Sequence, residues 1–175
     1  MSNLALRTPN GTSLEIPGVE SWHANPGDPA ISVMTDFREH TSITVSSTAA
    51  IDAALEHMKH TGVRCAFAVD DQQQRIVGLI TAYDITSEKP MRHLQLVAGT
   101  RQEVLVKDIM QRLVDWKVAD LKDIERVTVA NVARLFEETR LTHIPVFEAN
   151  DNGQQRLRGL LSGAKVKRLL ARQPM

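Results

Sequence analysis

The sequence has little cysteine, few aromatics and no net charge. Cys65 is the one thiol in 175 residues, which excludes an intrachain disulfide and any cysteine-built zinc site. Four phenylalanines, two tryptophans and one tyrosine make up the aromatic complement, a thin supply for stacking single-stranded bases. Basic and acidic residues balance at 21 each, so the Lys/Arg excess that drives phosphate-backbone binding is missing. These two shortages weigh against a nucleic-acid partner. Long apolar runs are missing too. Cys65-Ala66-Phe67-Ala68-Val69 and Ile76-Val77-Gly78-Leu79-Ile80 fall far short of the ~20 residues that span a bilayer. No charged segment followed by an apolar stretch opens the sequence. The expectation is a cytoplasmic protein with no membrane partner.

What is present fits a soluble globular chain: 42% hydrophobic and 24% charged residues, in a length that can bury roughly 70% of the unfolded surface. Residues 1–29 stand apart. Thr8-Pro9-Asn10-Gly11, Ile16-Pro17-Gly18 and Asn25-Pro26-Gly27-Asp28-Pro29 break helices and predict an extended arm with turns. Ile16 and Trp22 are its expected docking points on the folded body or on a partner chain.

From Ala30 onward the sequence repeats itself. Val33-Met34-Thr35 matches Ile109-Met110-Gln111, and Thr61 to Val69 matches Thr139 to Phe147. Gly78-Leu79-Ile80-Thr81 matches Gly159-Leu160-Leu161-Ser162, so the offset grows from 76 to 81 residues along the repeat. Most of the growth falls at the polar turn Asn150-Asp151-Asn152-Gly153, where diverged repeats take up insertions. Each half reads β-α-β-β-α. Short extended pieces open them, Ser42 to Val45 and Val114 to Ala119. Helices follow, with Ile51, Ala54, Leu55 and Met58 in one and Val129, Val132, Ala133 and Phe136 in the other at i, i+3, i+4, i+7. Ser47 or Thr48, and Thr128, are the expected N-caps. Two strands around a polar turn come next, Cys65 to Val69 with Arg75 to Ile80, and His143 to Phe147 with Arg156 to Leu161. A closing helix ends each half, from Tyr83 and over Ala164 to Arg172. The expected division is an arm at 1–29, repeats at 30–89 and 104–175, and a mostly helical connector at 90–103.

This order and these residues resemble the tandem cystathionine-β-synthase (CBS) domain pair, or Bateman module. Val106-Lys107-Asp108-Ile109-Met110 and the shorter Ser32-Val33-Met34-Thr35 are similar to the family's opening signature. Leu141-Thr142-His143-Ile144-Pro145-Val146 is similar to its helix-to-strand segment. Gly78-Leu79-Ile80-Thr81-Ala82-Tyr83-Asp84 is similar to its Gly-x-x-Thr-x-x-Asp motif. The resemblance covers Ala30 to Gln173. It implies an α/β (α+β) fold of two pseudo-two-fold related repeats packed through their sheets, with clefts for an adenosine-containing ligand between them.

The resemblance also suggests roles. Gly78 leaves room for close backbone approach. Thr81 offers a hydroxyl near a ribose or phosphate, and the Asp84 carboxylate can accept from two sugar hydroxyls. Asp84 also suits a helix cap needing no ligand. Across the cleft, Thr142, His143 and Lys165 are expected to meet the phosphates, with His143 better suited when protonated. Lys165 stands where the second copy of the motif should carry Asp, and a lysine accepts no hydrogen bond from ribose.

Other signals carry less. His57 and His60 lie one helical turn apart with no third ligand at suitable spacing. Ser162 lacks the Gly-x-Ser-x-Gly elbow, and no Walker loop or His-Glu-x-x-His occurs. Cys65 reads as an inert strand residue. The last helix carries Lys165, Lys167, Arg168 and Arg172 as a solvated face or a docking surface for an acidic partner. The expectation is a non-enzymatic module with no required cofactor. It would sense AMP, ADP, ATP or S-adenosylmethionine and signal to an unknown regulated protein as a homodimer. The alternative is an interaction scaffold of the same fold that binds no nucleotide.

Overall fold

The computed structural model describes residues 23–150 and 152–171. The expected arm therefore lies outside the described residues except for 23–29, and Ile16 and Trp22 lie outside them too. In chain order the elements are β1 (Thr35–Asp36), β2 (Thr44–Ser46), α1 (Ile51–His60), β3 (Cys65–Asp70), β4 (Arg75–Thr81), α2 (Ala82–Thr86) and α3 (Lys89–Leu96). They continue as α4 (Val106–Ile109), β5 (Gln111–Arg112), β6 (Ala119–Asp120), α5 (Leu121–Ile124), α6 (Val129–Thr139), β7 (His143–Ala149), β8 (Gln155–Ser162) and α7 (Gly163–Ala171). The β-α-β-β-α order holds in both halves. The extended piece expected from Val114 reduces to β6, because Leu113–Asp115 close into a 3-10 turn.

The strands form two four-stranded mixed sheets, ordered β2-β3-β4-β5 and β1-β8-β7-β6. β2 runs parallel to β3, and β6 to β7, each pair joined across a helix. The apolar stripes read from the sequence supply the cores. Ile51, Ala54 and Met58 pack with Ala66, Ala68 and Ile80 in one. Val129, Val132 and Phe136 pack with Ile144, Val146 and Leu161 in the other.

The opening segments of the two halves are exchanged. β1 opens the first half in sequence yet pairs with β8 of the second, Thr35 opposite Leu160 and Asp36 opposite Gly159. β5 opens the second half and pairs with β4 of the first, Gly78 opposite Arg112 and Leu79 opposite Gln111. Packing follows pairing: Ala30, Val33 and Met34 are buried in the second-half core, and Val104, Val106 and Ile109 in the first-half core. This is why both repeats need a glycine in the strand. A Cβ on Gly78 would lie 2.6 Å from Met110 Sδ and 2.7 Å from Gln111 O, and one on Gly159 would lie 2.6 Å from Met34 Sδ and 2.7 Å from Thr35 O. The close backbone approach expected at Gly78 is made by the chain's own exchanged strand. Each sheet also bulges at the matching place, between Ala68 and Val69 and between Val146 and Phe147, leaving Val77 and Arg158 unpaired in the ladder.

The caps divide the two long helices. Thr128 caps α6 as expected, its Oγ1 accepting from Asn131 N at 3.4 Å while Asn131 Oδ1 accepts from Thr128 N at 2.9 Å. Neither Ser47 nor Thr48 caps α1. Ala50 holds that position without a side-chain bond, and the exchanged segment serves the helix start, with Ile51 N donating to Val104 O at 3.1 Å. Phe67 of β3 is buried against Phe37 and Trp116, at ring-centroid distances of 5.6 and 5.9 Å. Phe37 follows directly on β1, and Trp116 follows β5 after the 3-10 turn Leu113–Asp115.

Candidate functional site

In each half a strand start and a helix start are tied into one corner. Ala82 N donates to Arg64 O at 2.9 Å, and Gly163 N donates to Thr142 O at 3.0 Å. Cys65 pairs with Thr81, and His143 with Ser162. The folded sheet thus sets Arg64-Cys65 beside Thr81 to Asp84, and Thr142-His143 beside Ser162 to Lys165.

The first corner is closed by a reciprocal cap. Thr81 Oγ1 accepts from Asp84 N at 3.1 Å, while Asp84 Oδ2 accepts from Thr81 N at 2.8 Å and from Thr81 Oγ1 at 2.7 Å. Lys89 Nζ donates to the other oxygen, Oδ1. Thr81 and Asp84 are both buried. Thr81 is the N-cap of α2 and Asp84 the third helical residue, so the cap role weighed for Asp84 falls to Thr81 with Asp84 as its partner. Sequence reasoning missed Lys89. It lies five residues after Asp84, across the break between α2 and α3, where helical pair spacing does not apply. The signal for that break is Pro90, which sits in the first turn of α3.

The second corner has the same backbone and the opposite charge. Ser162 Oγ accepts from Lys165 N at 3.4 Å, and Lys165 Nζ reaches across to Thr35 Oγ1 of β1 at 3.4 Å. His143 Nδ1 lies 3.1 Å from Thr142 Oγ1. Burial lowers the His143 pKa below the usual 6.5, and the Asp84 carboxylate partly offsets this. Burial therefore favours the neutral imidazole of His143. Burial first, and then the Asp84 charge, push the Cys65 thiol up to about 12. Asp84 of the first half is thus within electrostatic reach of His143 of the second, so the two corners face one another.

Two clefts open where the corners meet. The larger, of about 890 Å³, is walled by Arg64, Thr81 and Tyr83 from the first half and by Thr142 and His143 from the second. Phe136, Val166 and Leu170 give it an apolar side. The smaller, of about 780 Å³, gathers Arg64 and Cys65 on one side and Thr35, His143, Ser162 and Lys165 on the other. Both match the size of small-molecule sites. Of the expected residues, Thr81, Thr142 and His143 share the larger cleft, and Lys165 joins His143 in the smaller. Asp84 lines neither, its carboxylate being held by Thr81 and Lys89. Arg64 lines both clefts. Among the described residues, no group of three or more His, Cys, Asp or Glu is placed to hold a metal ion. Among them, too, no helix is long and apolar enough to cross a membrane.

Two β-α-β-β-α units with exchanged opening strands, and clefts at their facing corners, define a tandem-repeat α/β module. The sequence profile of the CBS domain matches residues 30–90 and again 125–172. The chain belongs to the CBS-domain family, with the fold of a CBS pair. CBSX2 of Arabidopsis thaliana, solved in complex with AMP, is 24% identical, with 81% of this chain and 95% of that one covered and a TM-score of 0.54. An uncharacterized conserved protein of Pyrococcus horikoshii is 18% identical over 87% of this chain and 98% of its own, with a TM-score of 0.57. A hexameric CBS-CP12 protein from bloom-forming cyanobacteria is 23% identical over 79% of this chain and 65% of its own, with a TM-score of 0.53. At these identities the likeness is one of fold. A search of curated proteins returned no match to the sequence.

Proposed function

We propose that the chain is a regulatory, non-catalytic module. It binds an adenosine-containing ligand of the AMP, ADP, ATP or S-adenosylmethionine type between its repeats and passes the occupancy to a partner protein. The observation that carries this reading is the larger cleft, which brings Thr81 of one repeat to Thr142 and His143 of the other. A ligand touching both corners favours whichever relative orientation of the repeats engages them together, and population shift transmits that preference. The AMP complex of CBSX2 makes AMP the first ligand to test. Asp84 lines neither cleft while Thr81 and Lys89 hold it, and its assignment to the ribose hydroxyls requires the ligand to draw Oδ1 from Lys89. The division into repeats at 30–89 and 104–175 around a connector is kept as a unit of sequence, and the chain is assigned to the cytoplasm as a homodimer.

Calorimetric titration with AMP, ADP, ATP and S-adenosylmethionine tests the reading. Heat is expected for at least one ligand, and Asp84→Ala should weaken it about 10- to 100-fold, the worth of charge-assisted hydrogen bonds. No heat for any ligand overturns the sensor. The second reading, a scaffold that binds no nucleotide, draws on one observation: Thr81 and Lys89 already hold the Asp84 carboxylate. The same titration separates the two.

A further inference from the structure

The described chain begins beside the larger cleft. Ala24 is buried in the second core, and its N–H donates at 3.1 Å to Leu169 O, a carbonyl in the last described turn of α7. From there the chain crosses to the start of α6, where Pro26 O accepts from Ala130 N and Asp28 O from Val129 N, both at 2.9 Å. The segment is thus fixed at both of its ends. Residues 1–22 join it next to Leu170 and Ala171, which line the larger cleft. Phe136, Val166 and Leu170 form the apolar side of that cleft, and Tyr83 on its wall stays 72% exposed. Apolar surface of this kind, at the foot of a long arm, invites cover.

We propose that the chain's own arm, through residues 14–22, docks in the larger cleft and competes there with the ligand. The stretch Leu14-Glu15-Ile16-Pro17-Gly18-Val19-Glu20-Ser21-Trp22 supplies apolar side chains to cover an apolar wall, with Trp22 the largest. Its reach is sufficient. The nine residues of α7 span about 14 Å. Trp22, two residues before Ala24, reaches about 7 Å from it, and Ile16, eight before it, about 27 Å. Trp22 therefore covers Leu170 and Ala171, and Ile16 attains the corner of Thr142 and His143. Charge agrees with this placement. Residues 14–22 carry Glu15 and Glu20 and no Lys or Arg, whereas Arg64 and Lys167 outnumber Glu137 on the cleft wall. Tethering makes the contact intramolecular, so modest pairing holds it. A ligand must then expel the arm, and its apparent affinity falls by the fraction of chains whose cleft is open. The competition rests on the adenosyl reading of the cleft; the docking does not.

Fluorescence of the full chain tests the docking. Trp22 and Trp116 are its two tryptophans, so the difference between the wild type and Trp22→Phe isolates Trp22. That signal is expected to lie to the blue of the urea-unfolded chain and to resist acrylamide quenching. Ala171→Glu, at an exposed position of the cleft wall, should release Trp22 to solvent, and saturating AMP should do the same. In calorimetry Trp22→Ala should bind AMP about three- to tenfold more tightly than the wild type, as for a cleft covered two-thirds to nine-tenths of the time. A Trp22 quenched as in the unfolded chain overturns the proposal, and so does a shielded Trp22 that Ala171→Glu leaves unmoved. Shielding lost on dilution would place the arm on a second copy and overturn it too. AMP bound with Trp22 still shielded, or with affinity unchanged by Trp22→Ala, overturns the competition. No heat with AMP, ADP, ATP or S-adenosylmethionine in either chain, while Ala171→Glu still releases Trp22, would remove the adenosyl reading and leave the docking standing.

Discussion

The two corners of this molecule share a backbone and differ in charge. Thr81 and Asp84 in the first repeat, and Ser162 and Lys165 in the second, sit at equivalent strand-to-helix junctions. One junction is an acid locked into a reciprocal cap and an ion pair with Lys89. The other has a one-sided cap, with its lysine extended to the opposite repeat's exchanged strand. The scaffold around them is held by symmetrical devices: the paired glycines, the exchanged strands and the matched bulges. The lesson is a separation of roles. The residues that make the fold are repeated, and the residues that set cleft chemistry are not.

Breaking the repeated part should cost most. Gly78→Ala and Gly159→Ala each drive a methyl into a methionine sulfur and a backbone carbonyl, at about 3 kcal/mol apiece. Denaturant unfolding should show the two losses matching within about 1 kcal/mol. A clear mismatch would show that the exchange is not equivalent in the two halves. The bulge residues should part company. Buried Arg158 pairs with Asp36 and Glu148, whereas Val77 only packs against the first core. Arg158→Ala should cost about 2 kcal/mol, after discounting for the partly exposed carboxylates. Val77→Ala should cost about 1 kcal/mol.

The site itself sharpens the contrast through pH. In the free protein His143 is held neutral by burial, and a bound phosphate favours its charged form. The complex therefore takes up a proton. Affinity for a phosphate-bearing ligand should rise as pH falls through and below 6.5, and stay flat above neutrality. His143→Gln should flatten the profile, and a profile that rises with pH would contradict the assignment. The smallest effect belongs to Cys65, whose thiol is pushed up to about 12. Alkylation at pH 8 should run far slower than in the unfolded chain, although Cys65 borders the smaller cleft.

Much of this was legible in the sequence. The i, i+3, i+4, i+7 stripes of Ile51 to Met58 and Val129 to Phe136 named the buried faces of α1 and α6, because burial on one helix face leaves a period of its own. Thr81, Thr142 and His143 were placed together by the resemblance to the CBS pair, and they share the larger cleft. The exchange of β1 and β5 was not legible. Two-residue strands carry no period, and long-range pairing leaves no mark beyond the small residue it requires, here Gly78 and Gly159. The α1 cap was misread at Ser47 and Thr48 because a distant carbonyl, that of Val104, took the place of a side chain. Lys89 and the Arg158–Asp36 pair escaped for the same reason, since ion pairs between separate elements have no fixed spacing.

The central claim is that one charge reversal, Asp84 against Lys165, distinguishes two corners of equivalent backbone. The most direct test is the stoichiometry of AMP binding in the wild-type chain and in Lys165→Asp, which restores the carboxylate and the reciprocal cap with Ser162. The account predicts one AMP per wild-type chain and two per Lys165→Asp chain. Two equal sites in the wild type, or no second site in the variant, would contradict it.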